Sequence, residues 1–250
     1  MRVSTKLFII VKIIPVIDLK NGVVVHARQG QRTHYQPIQS ALCSSANIDQ
    51  VIQAFLSLYA FDSFYIADLD ALTGQGEHDN IINALLCCYP QIEFWVDQGY
   101  RPQAKPISPL KNHMPVLGSE SYCDDTVAEL KAFKRRFVLS LDYKNDAILG
   151  AKSLLDNTNL WPMDIIIMTL DQVGSAKGPD FDKLSRFCQQ YPEKNFIAAG
   201  GVRNSEDLRA LQAMGIKRVL LASALHSGAV AATDIAYFSG KKIPRKRGIF

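Results

Sequence analysis

The chain has 250 residues, a composition that is 48% hydrophobic and a formal net charge of +4. That is enough apolar material for one large core, and the near-balanced charge gives no ground for a general polyanion binder. The five cysteines are odd in number and lack C-x-x-C spacing, which argues against a disulfide framework or a zinc site and fits a reducing, cytoplasmic setting.

In chain order, the first segment joins a basic start to an apolar run, as a signal peptide does. Lys12 and Pro15 interrupt it, and no small-residue cleavage site follows. We read 9–17 as a buried strand ending at Asp18 and Lys20, followed by a helical pattern over 47–59. A strand at 64–67 ends at Asp68 and Asp70, and a helix is expected over 79–88. After a strand at 93–96, Pro102, Pro106 and Pro109 leave room for only a short helix. The strand at 115–117 leads into Gly118, Ser119 and Glu120, and a helix over 124–134 takes Asp124 as its cap. A strand at 137–141 ends at Asp142, and one at 164–168 ends at Thr169 and Asp171. A helix over 181–190 is capped by Asp180. The strand at 196–199 runs into Gly200 and Gly201, then a helix over 205–214 capped by Ser205. The last strand, 218–221, is followed by Ala222 and Ser223.

Eight short apolar strands alternating with helices are the pattern of an α/β chain, a single (β/α)8 TIM barrel whose strands are buried on both faces. The sequence also parallels itself. Asp68, Leu69 and Asp70 with Gly74 match Thr169, Leu170 and Asp171 with Gly174; 96–101 matches 198–203, and 116–121 matches 220–225. The shared order, four strands apart, points to a two-fold half-barrel repeat, with halves at about 1–125 and 126–240 and a basic tail at 241–250. The tail reads as a solvated surface, without the interleaved aromatics of a nucleic-acid arm. No stretch is long and apolar enough to span a membrane.

Active sites of such barrels lie at the C-terminal strand ends. Acids end four of the strands there (Asp18; Asp68 and Asp70; Asp142; Asp171), a concentration that capping does not require. Two carboxylates across the mouth suit general acid–base work, because repulsion and burial push their pKa values apart. Thr169 reads equally as a substrate hydrogen bonder or a strand-packing residue. Gly200 and Gly201 before a helix, with Ser223 after the last strand, form the best phosphate signal. In the first half Asp97 and Gln98 precede Gly99 and Arg101, and Glu120 stands where the second half has Ala224. Asp97 and Glu120 would oppose a second phosphate unless their side chains point away from the mouth. His26, His34 and His78 fall in loops able to reach the mouth and read as surface or packing residues. No histidine spacing supports a metal.

"IIPVIDLKNGVVVHARQGQ", "DLDALTGQG", "LGSE", "LSLDYKN", "MTLDQVGSAKGPD", "AAGGVRNSEDL" and "LLASAL" fall in an order that resembles the histidine-biosynthesis barrel family. The likeness covers about 13–228. It is nearer to the branch of the phosphoribosylformimino-5-aminoimidazole carboxamide ribotide isomerase than to the sister cyclase branch. It implies an Amadori-type aldose–ketose rearrangement without a cofactor, on a small phosphorylated metabolite. Asp18 and Asp142 would be the acid and base, and Thr169 would assist. Phosphate sites would map to Gly99 with Gly118 and Ser119, and to Gly200 and Gly201 with Ala222 and Ser223; Arg101 and Gly174 are further candidate binding residues. The departures at Asp97 and Glu120, and a short segment after Asp142, imply a diverged paralogue with a smaller, monophosphorylated substrate. Such paralogues occur in one-carbon cofactor pathways of methanopterin or methanofuran type. The alternatives are the histidine-pathway isomerase itself and a non-catalytic binding barrel. A monomer or weak homo-oligomer is expected.

Overall fold

The computed structural model describes residues 9–100 and 108–241. Ten strands form one sheet: β1 (Lys12–Lys20), β2 (Val23–Val25), β3 (Ser63–Asp68), β4 (Glu93–Asp97), β5 (His113–Gly118), β6 (Val138–Lys144), β7 (Ala147–Ile148), β8 (Asp164–Thr169), β9 (Asn195–Ala199) and β10 (Arg218–Leu221). Eight of them, β1, β3, β4, β5, β6, β8, β9 and β10, pair in parallel in that order, and β10 pairs with β1 to close a (β/α)8 barrel. These are the eight strands read from the sequence, each within a few residues of its expected ends.

Closure places alternate side chains in two cores. Ile14, Tyr65, Trp95, Met114, Val116, Val138, Ile166, Ile197 and Leu220 fill the barrel interior. Their neighbours, among them Ile13, Phe64, Phe94, Leu117, Leu139, Ile165, Phe196 and Val219, pack outward under the helices. Those helices are α1 (Ile48–Leu58), α2 (Leu69–Thr73), α3 (Asp79–Cys88), α4 (Phe181–Gln190), α5 (Ser205–Ala213), α6 (Ser223–His226) and α7 (Ala232–Phe238). No helix of the described residues is long and apolar enough to cross a membrane.

Three local expectations are corrected. The region 124–134 forms a 3-10 turn, Val127–Ala132, and not an α-helix. Its two buried residues, Val127 and Leu130, are three apart, which suits the 3-10 repeat. Asp124 caps nothing there, because its carboxylate accepts from Ser153 N across the loop. The cap of α5 is Asn204, whose Oδ1 accepts from Glu206 and Asp207 N, and not Ser205. The strand expected over 9–17 begins only at Lys12, and Ile10 is exposed.

Beyond the parallel barrel, β2 folds back antiparallel on β1, and β7 does the same on β6. The two hairpin turns match. Asn21 and Gly22 (φ 49° and 77°) join the first, Asn145 and Asp146 (φ 49° and 58°) the second, all left-handed as type I′ turns require. Each turn lies three residues after an aspartate, Asp18 or Asp142, on strands that stand opposite each other in the barrel order. The half-barrel parallel in the sequence is therefore echoed in backbone conformation at the two strands that bear those acids.

Candidate active site

A cavity of about 370 Å³ opens at the C-terminal ends of the barrel strands. Strand parity decides which residues reach it. Val16 and Asp18 on β1 continue the interior row of Ile14; Asp97 follows Trp95 on β4; Asp142 follows Val138 and Ser140 on β6; Met168 follows Ile166 on β8. Asp18 and Asp142 thus face the cavity from opposite walls, and Asp97 joins them. Gly118 ends β5 between two of these carboxylates. A Cβ there would stand 3.0 Å from Asp142 Oδ2 and 3.3 Å from Asp97 Oδ2, so both groups occupy space that a side chain at 118 would take.

The electrostatics favour the neutral acids. Burial pushes Asp18 from 3.8 up to about 7, against the opposing pull of Arg32. Asp97 rises to about 8, through burial first and then the charges of Asp142 and Glu120. Asp142 also rises, through burial and Glu120, although hydrogen bonds from Ser140, Glu120 N and Ser119 favour its ionised form. Arg32 lies on the loop after β2 and meets Glu120 at 2.5 Å across the cavity. Burial weakens its charge, but Glu120 and Asp97 more than restore it, holding the guanidinium firmly protonated. Arg32 is the counter-charge of the acidic wall.

The two halves of the mouth differ in what their donors face. In the first half Gly99 N donates to Asp97 Oδ1 at 3.3 Å, and Ser119 Oγ and Glu120 N donate to Asp142 Oδ2 at 3.2 and 3.3 Å. The protein's own carboxylates occupy that cradle. Ser119 also accepts from Asp142 N at 2.9 Å and is fully buried, so it positions the aspartate. In the second half Gly200, Gly201, Ala222, Ser223 and Gly174 line the cavity together with Arg28 and Arg203, the latter paired with Asp207. Gly201 has φ +84°, and a Cβ on it would stand 2.1 Å from Gly178 O, so the turn tolerates no side chain. Gly201→Ala should lower stability by about 1–3 kcal/mol, read by thermal unfolding. Unchanged stability would mean that the turn opens to admit a side chain.

Several sequence-predicted residues lie elsewhere. Thr169 follows the interior Met168, so it falls on the outward register; it is buried but does not line the cavity. Asp68 faces outward by the same parity and accepts from Ala71 N, His78 N and Gln98 Nε2. Asp70 accepts from Asn21 N, Asp171 from Asn145 N, and Lys20 donates to Arg32 O. These four groups tie the loops of the mouth together and do not reach the cavity. Gly99 serves Asp97 as described, and Arg101 lies outside the described residues, as do the proline segment 102–107 and the tail beyond Lys241. Asp97 and Glu120 do not point away; both line the cavity. Sequence reasoning missed Arg32, and missed Tyr65, whose hydroxyl donates to Asp97 Oδ2 at 3.3 Å. It also undervalued His26, which lines the cavity, whereas His78 pairs with Asp68 and His34 is exposed.

Residues 12–231 match the profile of a family described as histidine biosynthesis protein. An uncharacterised protein of Methanocaldococcus jannaschii is 29% identical over 231 residues, covering 90% of this chain and 97% of the relative. Two relatives named as isomerases of a bis-phosphoribosyl imidazole carboxamide are similar over the same extent. That of Lactiplantibacillus plantarum is 28% identical over 90% of this chain and 98% of its own. That of Cenarchaeum symbiosum is 26% identical over 88% and 97%.

Proposed function

The chain belongs to the histidine biosynthesis protein family, and from that premise we propose that it is an aldose–ketose isomerase acting on a small metabolite with a single phosphate. The carrying observation is the pair Asp18 and Asp142 on opposite walls of one cavity, with Asp18 near neutrality and Asp142 raised toward it. Near neutral pH such a pair holds one proton and one negative charge, the state an acid–base isomerisation needs.

For an Amadori-type substrate the protonated member gives its proton to the ring oxygen, and the ring C1–O bond opens to a protonated imine. The ionised member removes the proton from C2, giving an enaminol. Protonation at C1 and loss of the O2 proton complete the ketose, so atoms and charges balance within the substrate and the carboxyl pair. Met168, Leu170 and Leu220 add apolar surface to the lining of the same cavity. Arg32 stands within reach of developing negative charge on the substrate's oxygens.

The single phosphate follows from the unequal halves. Gly200, Gly201 and Ser223 present the cavity with a turn free of acids, whereas the first-half donors already serve Asp97 and Asp142. A second phosphate there would face buried carboxylates, at a cost on the order of several kcal/mol. Titration with inorganic phosphate should therefore saturate at one equivalent. Two sites of equal affinity would overturn the single-phosphate reading.

The extent of similarity to the named isomerases favours a second reading, the histidine-pathway substrate itself. Complementation separates the two: a histidine auxotroph lacking that isomerase should remain unable to grow when this protein is expressed and soluble. Growth would favour the second reading.

A further inference from the structure

The wall formed by β10 and the β1–β2 hairpin carries a titratable group that the acid–base pair does not use. His26 directly follows β2 and lines the cavity together with Ala222 and Ser223. Its Nε2 lies 3.5 Å from Ser223 Oγ, at the outer limit of hydrogen-bond reach. Its amide donates to Gln36 O at 2.9 Å, which fixes the backbone, and the hairpin that delivers it pairs Val25 with Asp18. A smaller pocket of about 20 Å³ is bounded by the same His26, Ala222 and Ser223.

We propose that His26 is a ligand for the substrate's phosphate and binds it as imidazolium, so that anion capture beside Gly200, Gly201 and Ser223 takes up a proton. This rests on the phosphate reading given above and adds to it a residue and a proton.

The surrounding charges set the sign. Arg28, on the same loop, also lines the cavity; His226 of α6 stands behind and is tied through Nδ1 to Ser40; Asp18 of β1 and Arg203 after β9 face the same space. Burial, and then Arg28, hold His26 below its ordinary range. A dianion at Ser223 reverses that balance, because an opposite charge within hydrogen-bond reach favours the charged ring. The added affinity is fully present below the pKa of the free ring. It is lost as pH rises through the higher pKa of the bound ring, so release becomes easier at alkaline pH.

The test is calorimetry of the full chain with sodium sulfate between about pH 5.5 and 8, in two buffers of different ionisation heat, with inorganic phosphate as a second probe. Sulfate does not titrate in this range, so proton uptake belongs to the protein. Affinity should fall by up to about tenfold per pH unit across part of that window, with uptake approaching one proton. The His26 ring resonance should titrate at least about one unit higher with sulfate than without. His26→Gln should weaken binding about tenfold near pH 6 and flatten the pH dependence, while Asp97→Asn keeps the slope. A slope that survives His26→Gln and disappears in Asp97→Asn would assign the proton to the carboxylates and overturn the proposal. So would an unshifted His26 resonance in the wild-type protein, which holds even if the variant fails to fold. Sulfate and phosphate binding with no pH dependence would overturn this inference alone. No binding of either anion would overturn the phosphate reading together with it.

Discussion

Replacing Asp142 by asparagine should lower the turnover of a phosphorylated aldose about a hundredfold to ten-thousandfold, the range that one positioned proton-transfer group commands. Asparagine matches aspartate in shape: its amide oxygen in the Oδ2 place can still accept from Ser119 and Glu120 N, and its NH2 in the Oδ1 place can donate to the Ser140 hydroxyl, which turns from donor to acceptor. The fold and the substrate's KM should therefore change little, and the loss should fall on kcat. Asp18→Asn should behave alike, since Asp18 faces the same cavity from the opposite wall. The two losses should not add, because once one member of a proton-transfer pair is gone the other has little left to do. The wild-type profile should be bell-shaped around neutrality. Burial raises both acids, so at low pH both are protonated and the base is lost, whereas at high pH both are ionised and the acid is lost. Variants that both stay within about threefold of wild type would remove the acid–base pair as the centre of catalysis.

The barrel was legible because its strands are short apolar runs that must be covered on both faces, and no half-exposed alternation competes with that reading. That Asp18 and Asp142 share one cavity was legible as well, since both stand near the C-terminal ends of apolar strands four apart in the barrel order. What sequence reasoning lacked was parity. Counting by two from Ile14 reaches Asp18, and from Trp95 reaches Asp97, whereas from Ile166 it reaches Met168 and passes over Thr169. The same count turns Asp68 outward, where it caps α2 and binds His78. The end of a strand was treated as a single location, although successive residues there face opposite sides. Arg32 carried no such signal. It enters from a loop, and only the folded chain brings it to Glu120, 88 positions away. The 3-10 turn at Val127–Ala132 was missed for a related reason, because the hydrogen bond that draws Asp124 away comes from Ser153 in a later loop.

Asp97→Asn should stabilise the protein at alkaline pH while leaving it nearly unchanged in acid. Asp97 is 3% exposed, shares its space with Asp142 and, among the described residues, receives two long hydrogen bonds, from Tyr65 and Gly99 at 3.3 Å. Folding lifts its pKa from 3.8 to about 8. A raised acid contributes stability that is fully present below the unfolded value and is lost as pH climbs through the folded one. Wild-type stability should therefore decline between about pH 4 and 8 on account of this group, by up to 1.4 kcal/mol per pH unit before its coupling to Asp142 is shared out. Asparagine keeps the shape and cannot ionise, so the variant escapes the decline. The gain should reach on the order of a few kcal/mol at about pH 8.5, a rise in Tm of about 5–10 °C, and should vanish near pH 4. Thermal unfolding at three pH values measures it. Asp97 then has a physical account as a buried acid that stays neutral beside Asp142 and Glu120, whose charges add to burial in raising it, at a cost to the fold above neutrality. A variant less stable than wild type at alkaline pH would mean that Asp97 is held by partners strong enough to favour its charge, and the crowded-carboxylate account of this wall would fall.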